Sequence, residues 1–440
     1  MLTSWVSKWA DTRRVETGAR CACAVFAEIR LDTGASYAHF GMVSRLIAAT
    51  EYRYLRAEGG TVHCPTGVHA YPFWSRYLDV FDEIVVVMRL FDGVCRTIEA
   101  PLQGPGVSFA ALPAYEGPTG LFRRAPDIYR ALHGLVRPDD VVLARAPGIF
   151  GTLLAEQAMM HGRPFGVEVL ADPRAVFAST AIRHPGAPIF REAYTRALTR
   201  QCQHAAAAAY VTEGALQALY PPGRQTYAVA CSDVELQGHA LVDRARTYEC
   251  GPQPAKIVTV GTLEQPYKGI DVLLDAVGRL HAEGHRAQLT VVGEGRLRQT
   301  LEEQCGRLGI RDAVTFTGLL QSGGAVREKL DAADLFVLPS RTEGLPRALV
   351  EAMARALPCV ASAVGGVPEL LAAEHLVPAG DSGALATALA SMVASPARLE
   401  AASRKNLERA RQFGEAERRR RHVGFLRHLR SASEVQRSWW

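Results

Sequence analysis

The chain has 440 residues, 48% of them hydrophobic and 22% charged, which describes an ordinary globular protein of two or three domains. A formal net charge of +5 is too mild to indicate nucleic acid; it suits a protein that handles anionic phosphates or touches an acidic membrane surface. No apolar run reaches the roughly 18 residues of a spanning helix. Arg13, Arg14 and Glu16 interrupt any apolar leader core. The nine scattered cysteines, with Cys21 and Cys23 too close to make a zinc knuckle alone, point to free thiols. A cytoplasmic protein, or one at the inner face of the membrane, is expected.

Residues 1–60 read as an extension of unknown role. Ser36 to Ala57 carries helical patterning, with Phe40, Val43, Leu46 and Ile47 on one side. No motif residue falls before residue 58, so truncation there is expected to leave ligand binding intact.

Residues 61–230 read as a first α/β domain. Thr61 to Cys64 is its predicted first strand and Pro65 to Tyr71 a loop, in which Gly67 would let the backbone approach a ligand. Phe73, Trp74, Tyr77, Leu78 and Phe81 follow at helical spacing as a core stripe. Ile84 to Met88 is a strand, and Gly104 to Arg124, rich in proline and glycine, a long loop. Asp140 to Ala144 and Phe165 to Leu170 are strands that end at Arg145 and Asp172. Both residues therefore fall where open parallel sheets bind ligands. The plain alternatives are a surface ion pair for Arg145 and an N-cap before Pro173 for Asp172. Residues 231–254 lack periodicity and are taken as the linker.

Residues 255–417 read as a second domain of the same class. Lys256 to Gly261 is a buried strand running into a glycine turn with Thr262, and Lys268 stands where the following loop meets the helix beginning at Ile270. A lysine there can meet a diphosphate as a point charge, or simply be solvated. Gln288 to Val292 is a strand before Gly293, and Val314 to Gly318 a strand before Leu319 and Leu320. Leu335 to Leu338 is another buried strand; a polar loop and a helix up to Ala356 follow. Glu343 and Glu351 lie eight positions apart (351 − 343), a little over two helical turns. They cannot share a proton but can address two parts of an elongated ligand. Free N–H groups around Gly344, Leu345 and Arg347 would face an anion placed before the helix. Residues 418–440 form a basic helix and tail, read either as a solvated face on a helix returning to the first domain or as a membrane-surface contact.

The run E-G-L-P-R-A-L-V-E-A-M-A, with V-G-T-L, Y-K-G-I-D-V-L-L and G-G-V-P-E-L-L, resembles the E-x7-E region of the retaining glycosyltransferases of family 4. The resemblance implies the α/β GT-B fold, two Rossmann-like domains facing a central cleft. It implies transfer of a sugar from a nucleotide diphosphate sugar to an acceptor glycan, lipid or small molecule, in polysaccharide, glycolipid or glycoconjugate biosynthesis. By the same resemblance Lys268 neutralises charge on the leaving diphosphate, Glu343 holds the donor sugar and Glu351 the ribose. Asp172 lies near the reacting sugar. Gly261, Thr262, Gly293, Leu319, Leu320, Gly344 and Leu345 complete the donor side, and Gly67, His69 and Arg145 the acceptor side. Neither cofactor nor metal is expected, since no D-x-D triplet occurs, and no nucleic acid. Two features depart from the family: Thr262 stands where many members have arginine, and His69 and Tyr71 where two small residues are frequent. A non-catalytic nucleotide-sugar-binding scaffold and a sugar-nucleotide epimerase are the rival functions.

Overall fold

A computed structural model describes residues 43–437, apart from 58–59, 65–67, 93–100, 179–185, 235, 237, 250, 252–253 and 322. Two parallel sheets organise it. The first opens with β1 (Arg45–Arg56), whose residues Leu46 to Ala49 are fully buried. A central parallel strand is covered on both faces and so reads as a continuous apolar run. Leu46 pairs with Ile84 on one side and with Val141 on the other. The boundary expected at residue 60 is therefore corrected: residues 45–56 are the middle of the first domain. The helical stripe through Leu46 and Ile47 was two neighbours on opposite faces of a strand. What was expected as the first strand is β2 (Val62–His63), a two-residue antiparallel return on β1.

After α1 (Tyr71–Ser75) come β3 (Glu83–Asp92) and β4 (Val107–Leu112). The stretch expected as one long loop thus holds an edge strand and the start of α2 (Gly117–Leu135). There follow β5 (Val141–Ala146), α3 (Ile149–Met160), β6 (Phe165–Val169), α4 (Pro173–Val176) and α5 (Ala187–His204). The sheet closes with β7 (Ala207–Tyr210), α6 (Ala215–Leu219) and β8 (Tyr227–Ala230), in the order β4-β3-β1-β5-β6-β7-β8.

The second sheet takes β9 (Ala255–Val260), α7 (Ile270–Ala282), β10 (Ala287–Val292), α8 (Arg298–Arg307), β11 (Val314–Gly318) and α9 (Gly324–Asp331). Then come β12 (Leu335–Leu338), α10 (Arg347–Ala354), β13 (Cys359–Ser362) and β14 (Leu376–Val377), in the order β11-β10-β9-β12-β13-β14. Two helices, α11 (Ser382–Val393) and α12 (Pro396–Arg411), close this domain.

The last helix, α13 (Glu415–Arg437), leaves the second domain and packs on the first. Phe425, Leu426 and Leu429 are fully buried there, in one core with Trp74, Tyr77 and Phe81. The opposite face of the first sheet is covered by α2, α3 and α5. Among the described residues no helix is long and apolar enough to cross a membrane.

Candidate active site

Both sheets turn their strand C-termini toward a common cleft. From the second domain, the chain leaving β9 makes a short turn over Pro266–Lys268 and enters α7 through Gly269, at φ +66. A side chain at Gly269 would strike the carbonyl oxygen of Pro339, so glycine lets this turn press against the loop after β12. The two loops are stitched together. Arg341 N donates to Tyr267 O at 2.7 Å, and its guanidinium donates to Pro266 O and, at 2.8 and 2.6 Å, to both oxygens of Asp271.

This packing brings Lys268 and Glu343 together. Lys268 Nζ donates to Glu343 Oε1 at 2.7 Å, and Ser340 Oγ donates to the same oxygen at 2.6 Å. Burial works against the Lys268 ammonium, but the Glu343 carboxylate and Tyr267 more than compensate and hold its pKa above the ordinary lysine value. Lys268 therefore carries its charge at neutral pH, and Glu343 is fixed in one orientation.

Glu351 lies one turn along α10 and has different surroundings. Burial pushes its carboxyl above the ordinary glutamate value, against the pull of Arg347 and Arg327. It faces a cavity of about 260 Å³, to which Phe73, Arg76 and Asp233 contribute from the other side and Arg327 and Arg347 from its own. Arg347 has no carboxylate within ion-pair distance among the described residues, although it is close enough to act electrostatically on Tyr52, His69 and Glu351. Sequence reasoning gave it no side-chain role. It was findable: it stands four residues before Glu351 on α10, so the two share a helical face.

Gly344 and Leu345 form the seam between the domains. A side chain at Gly344 would collide with the carbonyl oxygen of Leu170, just past β6. Leu345 packs against cores on both sides of the cleft. Nearby, the Glu369 carboxylate accepts from the backbone N–H groups of Glu213, Gly214 and Ala215 at 2.7, 2.9 and 2.6 Å. The second domain thus caps a helix of the first.

The other expected donor residues line the same edge. Gly261 N donates to Val292 O, and Gly293 N to Gly318 O. Thr262 Oγ1 accepts from Glu264 N, a local turn contact. Leu319 is exposed and Leu320 half-buried.

On the first domain the expectations need correction. Asp172 is the N-cap of α4: its Oδ1 accepts from Arg174 N at 2.9 Å, and the Tyr220 hydroxyl also donates to it. Its carboxylate is taken up in capping, and no contact joins it to Lys268, Glu343 or Glu351 among the described residues. Arg145 is neither a surface ion pair nor open to an acceptor. Its guanidinium is buried and donates to Glu168, to the Tyr77 hydroxyl at 2.9 Å and to Asp233 at 2.6 Å. Asp233 also accepts from Arg76 at 2.9 Å. Arg145 therefore fastens the segment after β8 to the first domain. Replacing it with methionine leaves the buried Glu168 carboxylate without its guanidinium and the half-buried Asp233 with Arg76 alone, and is expected to cost about 3–5 kcal/mol of stability. Chemical denaturation of the two proteins measures this; a difference within about 1 kcal/mol would contradict the assignment.

His69 lies close enough to Arg347 of the second domain for that charge to act on it. It is buried, its carbonyl accepts from Tyr54 Oη and Trp74 Nε1, and its ring stacks on Tyr52 at 3.5 Å. Burial, reinforced by Arg145, lowers its pKa well below the usual histidine value, so the ring is neutral at pH 7. Tyr52, 42% exposed, was missed because it lies in the stretch taken as an extension. Gly67 lies outside the described residues.

Residues 254–395 match the family model for glycosyl transferases group 1. Protein CapJ of Staphylococcus aureus is 26% identical over 314 residues, 70% of this chain and 76% of CapJ. The GDP-mannose-dependent alpha-(1-6)-phosphatidylinositol monomannoside mannosyltransferase of Mycolicibacterium smegmatis is 30% identical over 262 residues, 56% of this chain and 62% of that protein. Sucrose-phosphate synthase of Thermosynechococcus elongatus has the same fold, with a TM-score of 0.67 at 19% identity, over 89% of this chain and 100% of that one.

Proposed function

The chain is a glycosyltransferase with the GT-B fold, and from that premise we propose that it moves a sugar from a nucleotide diphosphate sugar to an acceptor hydroxyl, with retention at the anomeric carbon. The observation that carries this reading is the pairing of Lys268 with Glu343, with Arg347 and Glu351 on the same helical face. The acceptor oxygen bonds to the anomeric carbon as the bond to the diphosphate breaks, and the hydroxyl proton passes to an oxygen of the departing phosphate. Charge then grows on the leaving phosphate. Lys268 and the backbone N–H groups before α10 oppose it from fixed positions, the kind of term that usually dominates such barriers. Glu343 holds sugar hydroxyls and Glu351 the ribose. The nucleotide sugar is a substrate in this scheme, and the charge is met by these groups rather than by a metal ion or cofactor. Polysaccharide or glycolipid biosynthesis is the proposed setting. A thermal-shift series with uridine, guanosine and adenosine diphosphate sugars identifies the donor, because specific binding raises the melting temperature by mass action. No shift with any of them would sink the proposal.

The two glutamates separate in a binding experiment. Glu351→Gln is expected to weaken the donor and the bare nucleoside diphosphate alike, whereas Glu343→Gln weakens mainly the intact donor. A charged hydrogen bond contributes roughly 1.5–3 kcal/mol, about tenfold to a hundredfold in affinity. Calorimetry with both ligands checks this. Equal loss of both ligands in Glu343→Gln and no loss in Glu351→Gln would reverse the assignments.

A further inference from the structure

The charges around the cleft do not cancel. Lys268 is met by Glu343 at 2.7 Å, so that pair as a whole adds no net charge. Arg76 and Arg145 share Asp233, and Arg145 also holds Glu168. Two guanidiniums are left over. Arg347, the first residue of α10, and Arg327, on α9, both line the cavity of about 260 Å³ that contains Glu351. Neither has a carboxylate within ion-pair distance among the described residues. Glu351 feels both charges, but burial disfavours its carboxylate and so weakens it as a counterweight. A small cleft lined by unpaired charge of one sign concentrates ligands of the other sign.

The order of residues says which anion it is. Glu343, Arg347 and Glu351 follow one another at intervals of four (347 − 343 and 351 − 347). Glu343 is assigned to the sugar and Glu351 to the ribose, and in a nucleotide diphosphate sugar only the diphosphate lies between those two. Lys268 is joined to Glu343, at the sugar end. Arg347 shares a face of α10 and a cavity wall with Glu351, at the ribose end. From the first domain the same cavity receives Phe73 and Asp233, with Arg76 already joined to Asp233. An apolar ring and a carboxylate offer nothing to an anion arriving from that side.

We propose that Arg347, with Arg327 across the cavity, binds the phosphate attached to the ribose, so that the diphosphate is divided between two cations. Arg347 holds the donor through the phosphate that keeps its place, and Lys268 meets the phosphate on which charge grows. A guanidinium suits the first task, because its planar fork can donate two parallel hydrogen bonds to one phosphate. This rests on the glycosyltransferase reading above and goes further by giving Arg347 a ligand group of its own.

The test uses the full chain and ligands that differ by one phosphate. The monophosphates and diphosphates of uridine, guanosine and adenosine are titrated calorimetrically, and the base that binds carries the comparison. Arg347→Gln is expected to weaken monophosphate and diphosphate alike, by at least tenfold. Arg347→Lys, which keeps the charge without the fork, is expected to recover part of that loss. Lys268→Ala is expected to weaken the diphosphate only. Arg347 has no ion pair to lose, so Arg347→Gln should melt with wild type in the absence of ligand; if it does not fold, Arg327→Gln repeats the titration. Unchanged monophosphate affinity in Arg347→Gln would overturn the proposal and free the arginine for an acidic group of the acceptor. A loss confined to the diphosphate would also overturn it, by moving Arg347 to the leaving phosphate beside Lys268. So would Arg347→Lys binding no better than Arg347→Gln, which would make the loss one of shape rather than charge. A wild-type protein that binds none of the diphosphates would overturn the donor reading, and this assignment with it.

Discussion

Replacing Lys268 with alanine is expected to lower turnover by about a hundredfold to a thousandfold, the usual effect of removing one preorganised donor from a transition state. The variant should remain folded, since the Lys268 side chain belongs to no apolar core. It leaves the Glu343 carboxylate, only 8% exposed, with Ser340 as its remaining side-chain partner. Part of any loss could therefore come from an uncompensated buried charge. Lys268→Met combined with Glu343→Gln removes both charges and separates the two effects. If the cation acts on the leaving diphosphate, the double variant stays as slow as the single one while its melting temperature recovers. Turnover close to wild type in Lys268→Ala would remove the lysine from the mechanism.

Deleting residues 1–57 is expected to abolish the folding of the first domain. The deletion takes away β1, which is hydrogen-bonded along both edges, to β3 and to β5. Truncating a single buried Leu or Ile typically costs 2–5 kcal/mol. Leu46, Ile47, Ala48 and Ala49 lost together approach or exceed the roughly 5–15 kcal/mol that holds a domain folded. Circular dichroism and limited proteolysis should show an unstructured first domain, and donor affinity should fall with it, since Tyr52 is removed with β1 and His69 loses its stacking partner. A truncated protein that melts cooperatively at the wild-type temperature would contradict the placement of β1.

These two variants mark where the fold could and could not be read from the chain. The second domain was legible because its strands are short buried apolar runs bounded by glycine and proline. The predicted strand at Lys256 to Gly261 and the observed β9 differ by one residue. The stretch before residue 60 was not legible in the same way. Four apolar residues at 46–49 run into Tyr52, Arg53 and Tyr54, and so short a run fits a buried strand or one side of a helix equally. Its partners, Ile84 and Val141, are far along the chain. The role of Arg145 was out of reach for a related reason. Its partner Asp233 lies 88 residues away, in a segment without periodicity, and only the folded chain brings the two together. Arg347 and Glu351 were the opposite case, since helical spacing alone places the two on a common face.

The route of α13 has a consequence for how the protein is made. The first domain appears early on the ribosome, but Phe425, Leu426 and Leu429, which complete one face of its core, are translated only after the whole second domain. Until then the apolar underside of that sheet, including Trp74 and Tyr77, has no cover. Synthesis usually lets the earlier domain fold first. Here the later domain is the one that can reach its final state without waiting, and the earlier one must be kept from sticking to other chains until its last helix arrives.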